Sequence, residues 1–155
     1  MIIQNDPRYD AFIKNVVKNQ IVYTLQDDQN FFAECPSEEY DDELGDPVAV
    51  LCFWDSEADT LACKQDEWEN FTLETVPLDE FLGNVIMDMD EYHKLVGVAF
   101  DAELYGTEIE PVELLADLLD EIEAQDLADE FEQFDEWRSY QKKWFAQTEE
   151  PHIVH

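Results

Sequence analysis

Between Leu95 and Glu136 the chain carries fifteen Asp and Glu residues and no Lys or Arg. No compact fold can bury that many like charges, because an unpaired carboxylate taken out of water is too costly. Whatever this stretch folds into must keep one side wet. From Pro111 onward the apolar positions Val112, Leu115, Leu119 and Ile122 fall on one stripe, widened by Leu114 and Leu118. Leu127, Phe131, Phe134, Trp137, Tyr140 and Trp144 continue it at steps of three or four, the period of an amphipathic helix. The spacing predicts a helical C-terminal region, in one piece or in two if Gln125-Asp126 interrupts it. Arg138, Lys142 and Lys143 gather in its last turns, the polarity that suits a helix dipole.

Over the whole chain there are 40 acidic residues against 8 basic ones, a formal net charge of -32 on 155 residues. Charge on that scale repels itself and weakens a compact state. Ten Phe, six Tyr and four Trp in a chain that is 45% hydrophobic nevertheless supply a core, so the expectation is one folded domain with its acid outside. No apolar run approaches the ~20 residues that span a bilayer. The opening MIIQNDPRYD has no basic region followed by an apolar stretch and does not read as a secretory leader. Cys35, Cys52 and Cys63 are odd in number and form no C-x-x-C pair, which fits a reduced, cytoplasmic protein; Cys52, inside an apolar run, reads as a core thiol. Nucleic acid and anionic lipid would both be repelled, so the expected partner is a basic protein surface, with the chain itself a monomer or homodimer.

Local signals give an order of elements. Asp6-Pro7 opens a helix whose stripe is Tyr9, Phe12, Ile13, Val16 and Val17, with Asn19 as its stop. Ile21 to Leu25 and Phe31 to Cys35 read as strands of a hairpin around Asp27-Asp28-Gln29-Asn30. Glu38 to Asp46 reads as an acidic loop ending at Pro47, and Val48 to Trp54 as a central strand buried on both faces. Ser56 with Asp59 resembles a capping box that introduces a helix through Ala58, Leu61, Ala62 and Trp68. A strand at Phe71 to Val76, a helix carrying Phe81, Leu82, Val85, Ile86, Met89 and Tyr92, and a buried strand at Leu95 to Phe100 follow. The fold class is α+β: one mixed or antiparallel sheet of about five strands with flanking helices and a C-terminal amphipathic extension. The divisions expected are an α+β domain over 1–122, a helical extension over 123–147 packed on it, and a flexible tail over 148–155.

Two groups of residues carry a family resemblance. One is Val48-Ala49-Val50-Leu51-Cys52-Phe53-Trp54, followed by Asp55-Ser56 and a helix ending in Asp66-Glu67-Trp68. The other is Val76-Pro77-Leu78-Asp79-Glu80-Phe81-Leu82, then Leu95-Val96-Gly97-Val98 and the Glu110-Pro111 helix start, with Val22-Tyr23-Thr24-Leu25 upstream. Together they resemble the small bacterial proteins known as domain of unknown function 2750, over residues 8–122. The order of elements is more distantly similar to the N-terminal domain of the SseB proteins. The resemblance implies a compact bacterial α+β domain and transfers no activity to any residue; the acidic, aromatic segment after Ile122 falls outside it.

No reaction can be read from the residues. Forty carboxylates make any single pair uninformative as a glycosidase-type acid and base. Asp88-Met89-Asp90-Glu91 and Asp27-Asp28 lack the Gly and Glu of a calcium loop. His93 reads as a helix-end or core residue, His152 and His155 as tail residues, and no phosphate loop or zinc spacing is present. No catalytic residue, metal or cofactor is therefore assigned. The acidic run is the remaining candidate. If helical from Pro111 to Glu136 it spans roughly 39 Å, about one carboxylate per 3.5 Å, against one phosphate per ~3.4 Å along a DNA strand. Asp117, Asp120, Glu121, Asp129, Glu132 and Glu136 are the positions expected to face solvent and meet a basic, nucleic-acid-handling partner as DNA-mimic inhibitors do. The competing reading is acidity for solubility or salt adaptation, which would spread carboxylates over all faces.

Overall fold

Helix α1 (Pro7–Asn19) begins at the cap the sequence marks. The Asp6 carboxylate accepts the Arg8 N–H at 2.9 Å, and Pro7 takes the first helical position, where its missing donor costs nothing. Gln20 closes the helix in the left-handed conformation, its amide returning to the Val16 carbonyl. In this computed structural model, which describes residues 6–149, the chain continues through β1 (Ile21–Gln26), β2 (Glu34–Asp41), β3 (Pro47–Phe53) and α2 (Glu57–Ala62). Next come β4 (Thr72–Pro77), α3 (Leu78–Glu80), a π turn at Phe81–Val85, α4 (Ile86–Glu91), β5 (Leu95–Val98) and β6 (Thr107–Ile109). Helices α5 (Pro111–Ala124) and α6 (Phe134–Glu149) complete it. The rest of the expected tail, residues 150–155, lies outside the described residues.

The class is α+β, and the strand arrangement differs from the single sheet expected. Among the described residues there are two ladders: β1 pairs antiparallel with β4, and a mixed sheet runs β2-β3-β5-β6 with β3 and β5 parallel. The hairpin expected between Ile21 and Cys35 reduces to one bridge, Gln26 to Phe32, flanked by hydrogen bonds from Ala33 N–H to the Leu25 carbonyl at 2.8 Å and from Asp27 N–H to the Phe31 carbonyl at 3.0 Å. Its arms then diverge to different partners. The two ladders stay joined because Tyr23 and Trp54 exchange backbone hydrogen bonds at 2.9 and 2.8 Å.

The acidic stretch expected as a loop is partly strand. Glu34–Asp41 forms β2, at the sheet edge, where charged side chains can stay in water. Its register against β3 shifts between Pro36 and Asp41, where Ser37 Oγ accepts the amides of Glu39 and Tyr40 at 3.2 and 3.0 Å. The Ser37 hydroxyl in turn donates to Glu108 on β6 at 2.7 Å. Ser56 accepts the Asp59 amide as the capping pattern implies, but α2 stops at Ala62, and Trp68 lies in a separate 3-10 turn.

Strand β3 divides the core by its period of two. Phe53, with Leu51 packed beside it, faces α1, α5 and the α3–α4 segment. Val50, Cys52 and Trp54 face a second cluster with Leu25, Trp68, Leu95 and Phe100. Leu114, Leu115, Leu118, Leu119 and Ile122 are fully buried along α5, and each such side chain contributes roughly 1.5–3 kcal/mol. The larger cluster runs on without a break into Phe131, Phe134 and Trp137, so α6 shares the core of the domain it follows. Gly83 lies against that seat: a Cβ there would come into van der Waals contact with the Trp137 indole at 3.4 Å.

Candidate functional site

The C-terminal acidic region is two helices. α5 ends at Ala124, Asp126 turns the chain with φ 59°, and a 3-10 turn at Ala128–Glu130 leads into α6. Leu115, Leu119, Phe131, Phe134 and Trp137 are buried as the stripe required. The row of carboxylates that a single helix would have lined up is therefore bent, with α5 alone spanning about 21 Å.

The six predicted positions part company once placed. Asp117 is half-buried and accepts a short hydrogen bond from the Tyr9 hydroxyl of α1. Asp120 pairs with Arg138 at 2.9 Å, and Glu123 makes a short contact with the same guanidinium, which also lies 5.6 Å over the Phe134 ring. Glu121 accepts from Gln125 Nε2 at 2.8 Å. Asp129, Glu132 and Glu136 are exposed and make no ion pair or hydrogen bond among the described residues. Arg138 thus ties α6 to α5 by neutralising the middle of the acidic row, and the open charge lies beyond the bend.

Burial and mutual repulsion leave a mark on three neighbours at the start of α5. Partial desolvation, then the neighbouring carboxylates, raise the pKa values of Glu110 and Glu113. Desolvation also raises that of Asp117, against the lowering effect of the Tyr9 hydrogen bond. All three bind a proton more readily folded than unfolded. Their stabilising contribution is complete below the ordinary carboxylate range near pH 4 and is lost as pH rises through the folded-state values. The melting midpoint is accordingly expected to rise when the pH is lowered from 7 to about 5. A midpoint that falls across that window would show that other carboxylates, stabilised by their ionised state, dominate.

A second feature was not legible as a unit in the sequence. A cleft of about 980 Å³ lies between the β2–β3 turn and the end of α4, with Glu110 and Trp144 also in its lining. Tyr40 and Tyr92 in that lining are 53% and 66% exposed. Its acids are Asp41, Asp42, Glu43, Asp90 and Glu110, against Lys94 and His93. Asp42 is occupied by the turn, accepting the amides of Leu44 and Asp46 at 2.9 and 3.0 Å. Asp90 accepts a short hydrogen bond from Tyr140, whose own pKa is pushed up to about 12 by that contact. Glu43 and Glu110 have no such partner among the described residues. His93 lies just past α4 in the left-handed conformation, an exposed helix-end residue.

The cysteines hold a pairing that spacing did not reveal. Cys35 and Cys52, on β2 and β3, bring their sulfurs to 3.9 Å. Burial pushes the Cys52 thiol up, while the contact with Cys52 lowers the pKa of Cys35. Cys63 points instead at the carbonyls of Phe100 and Asp101, both at 3.3 Å. Among the described residues no three His, Cys, Asp or Glu side chains are placed to hold a metal ion, and no helix is long and apolar enough to cross a membrane.

Fold and surface define a small α+β domain with an acidic helical face and an anionic aromatic cleft. The chain belongs to the family described as Protein of unknown function (DUF2750), whose sequence profile matches residues 9–118. The match runs from α1 into α5 and leaves α6 beyond it. No curated protein and no solved structure matches the chain; the SseB likeness remains a resemblance.

Proposed function

We propose that this is a non-enzymatic acidic protein that engages a basic, nucleic-acid-handling protein through charge. The supporting observation is the C-terminal acidic region itself. Of its eleven carboxylates from Pro111 to Glu136, only Asp120 and Glu123 meet a cation among the described residues, and both meet the same one, Arg138. On α5 five acids recur at about 4 Å of helix axis each, near the ~3.4 Å phosphate spacing of a DNA strand. Asp120 and Glu123 are tied to Arg138, however, so the exposed Asp129, Glu132 and Glu136 beyond the bend carry most of the open charge. Affinity for a basic groove should fall steeply with salt, since exposed charges are screened within about 10 Å at 0.1 M. Capture from bacterial lysate at low and high salt tests the reading. A nucleic-acid-binding protein held at low salt and released at high salt is the expected result; recovery of none in either condition removes it.

A second reading is favoured by a different observation. Exposed carboxylates also stand on elements far from α5 and α6, such as Asp10 on α1, Glu38 and Glu39 on β2, Glu57 on α2 and Glu80 on α3. Such a spread suits acidity that serves solubility or salt adaptation. Melts at low salt and at about 2 M KCl separate the two, because adaptation requires strong stabilisation by salt and a functional acidic face does not.

A further inference from the structure

We infer that the cleft between the β2–β3 turn and the end of α4 is a docking site for an arginine side chain carried by a basic segment of a protein partner. This rests on the proposed reading for the partner's basic character, and it adds where the partner is held and by which side chain. Of the eight large hydrophobic residues exposed among those described, Tyr40, Leu44 and Tyr92 line this one cleft, at 53%, 86% and 66% exposure. Exposed apolar surface gathered in one place marks an interaction site, whereas the same residues scattered singly would not. The carboxylates among these rings tell what kind of group belongs there.

Charge complementarity selects the occupant. Glu43 and Glu110 make no ion pair or hydrogen bond among the described residues, and Glu110 is repelled by Glu113 and Asp90 more than His93 attracts it. An apolar ligand would strip water from these carboxylates and return nothing. A nucleic-acid strand or anionic lipid would be repelled. A second copy of this chain would bring a further formal charge of -32. A guanidinium satisfies both parts of the lining: its plane stacks on tyrosine or tryptophan faces, and its fork of N–H donors matches a carboxylate. Lysine supplies the charge without the plane. Lys94 and His93 are the lining's own basic residues and leave it strongly anionic against five carboxylates. At about 980 Å³ the cleft lies at the upper end of the roughly 300–1,000 Å³ usual for ligand sites, room for an arginine with its neighbours in a chain.

The test uses the full chain labelled with ¹⁵N, titrated at low salt with a short Gly/Ser peptide bearing two arginines. The same peptide with citrulline in place of arginine is the uncharged, planar control, and free arginine amide is the control for a small-molecule source. The readout is the Trp144 indole N–H resonance, assigned through Trp144→Phe, together with the dissociation constant. The arginine peptide is expected to move that resonance, the citrulline peptide to leave it in place, and arginine amide to bind more weakly than the peptide. The double variant Tyr92→Ala/Glu110→Gln should weaken binding at least about tenfold, as loss of a central aromatic and its carboxylate does. Tyr92 is exposed and Glu110 makes no side-chain cap, so this variant should melt close to the parent; Tyr92→Phe, which keeps the ring, should bind like the parent.

The variant Asp129→Asn/Glu132→Gln/Glu136→Gln, outside the cleft, should bind the peptide within about twofold of the parent, since only long-range steering is lost. Equal binding by the parent and the cleft variant, equal loss in both variants, or no movement of the Trp144 indole would each overturn the inference. So would citrulline binding as well as arginine, or arginine amide binding as tightly as the peptide. The broader reading fails separately: arginine binding in the cleft with no nucleic-acid-handling protein captured would keep this site and change the class of partner.

Discussion

Trp54→Ala is expected to lower the stability of this protein by about 3–5 kcal/mol, the top of the range for truncating a buried side chain. Trp54 is fully buried at the end of β3 and packs edge-to-face on Trp68 with ring centres 6.1 Å apart. Its indole N–H donates to the Phe100 carbonyl at 2.8 Å, closing the second core cluster over the end of β5. Truncation removes the ring from both contacts and leaves a cavity that the surrounding strands can only partly fill. The Phe100 carbonyl keeps the Cys63 thiol within reach at 3.3 Å, shared with the Asp101 carbonyl, so lost packing dominates the effect. Trp54→Phe should cost less, since it keeps a ring against Trp68 and gives up chiefly the hydrogen bond. Urea unfolding followed by circular dichroism reads both variants as a shift in midpoint at unchanged slope. Amide exchange at Tyr23 and Trp54 adds a local check, since those two residues hold the two ladders together. A loss below about 1 kcal/mol in Trp54→Ala would mean that this cluster is loosely packed and that the joint lies elsewhere.

That joint also shows what the sequence could and could not reveal. The stripe of α1, the Asp6 and Ser56 caps, the buried run of β3 and the apolar face of α5 are local, and each follows from period or cap chemistry. Strand partnership is not local. The turn at Asp27 is real, with the Asp27 carboxylate accepting the amides of Gln29 and Phe31 at 2.8 and 2.9 Å, and Asn30 at φ 69°. It looks like a hairpin from sequence because nothing nearby says that β1 will pair with β4, some fifty residues on. The C-terminal half of β2 was hidden by its composition: Glu38 and Glu39 belong to an edge strand whose carboxylates face water, and strand propensity takes no account of that. β6 is three residues long and has no period to read.

The two candidate surfaces differ in the same way. The acidic helices were visible because period and charge lie in one stretch of chain. The cleft is assembled from the turn after β2, the end of α4, the first cap of α5 and a residue of α6. In sequence its parts read as an acidic loop, an acidic cluster without a calcium-loop pattern and a helix-end histidine, each unremarkable alone. Folding turned one expectation around as well. Arg138, read as a residue that suits the helix dipole, instead pairs with Asp120 and Glu123 across the bend. The acidic row therefore acts partly as a structural tie and partly as open charge.

Separating those two parts is the purpose of a paired experiment on α6. Trp137→Ala is expected to destabilise the protein by about 3 kcal/mol, the lower end for such a truncation because the ring sits at the margin of the core. Trp137 is 5% exposed, meets Phe131 with ring centres 6.0 Å apart, and lies against Gly83. Its loss should loosen α6 first, which amide exchange would register as faster opening of residues 134–147 than of α5. Asp129→Asn/Glu132→Gln/Glu136→Gln should do the opposite. These side chains are exposed and unpaired among the described residues, so their neutralisation removes three charges from a chain of net -32 and leaves the packing intact. The melting midpoint should stay level or rise slightly, while capture of a basic partner at low salt weakens. A triple variant that melts well below the parent would show that these carboxylates hold α6 in place. Those three positions would then be a structural device, leaving the open charge of the acidic region to others such as Glu113, Asp126 and Asp135.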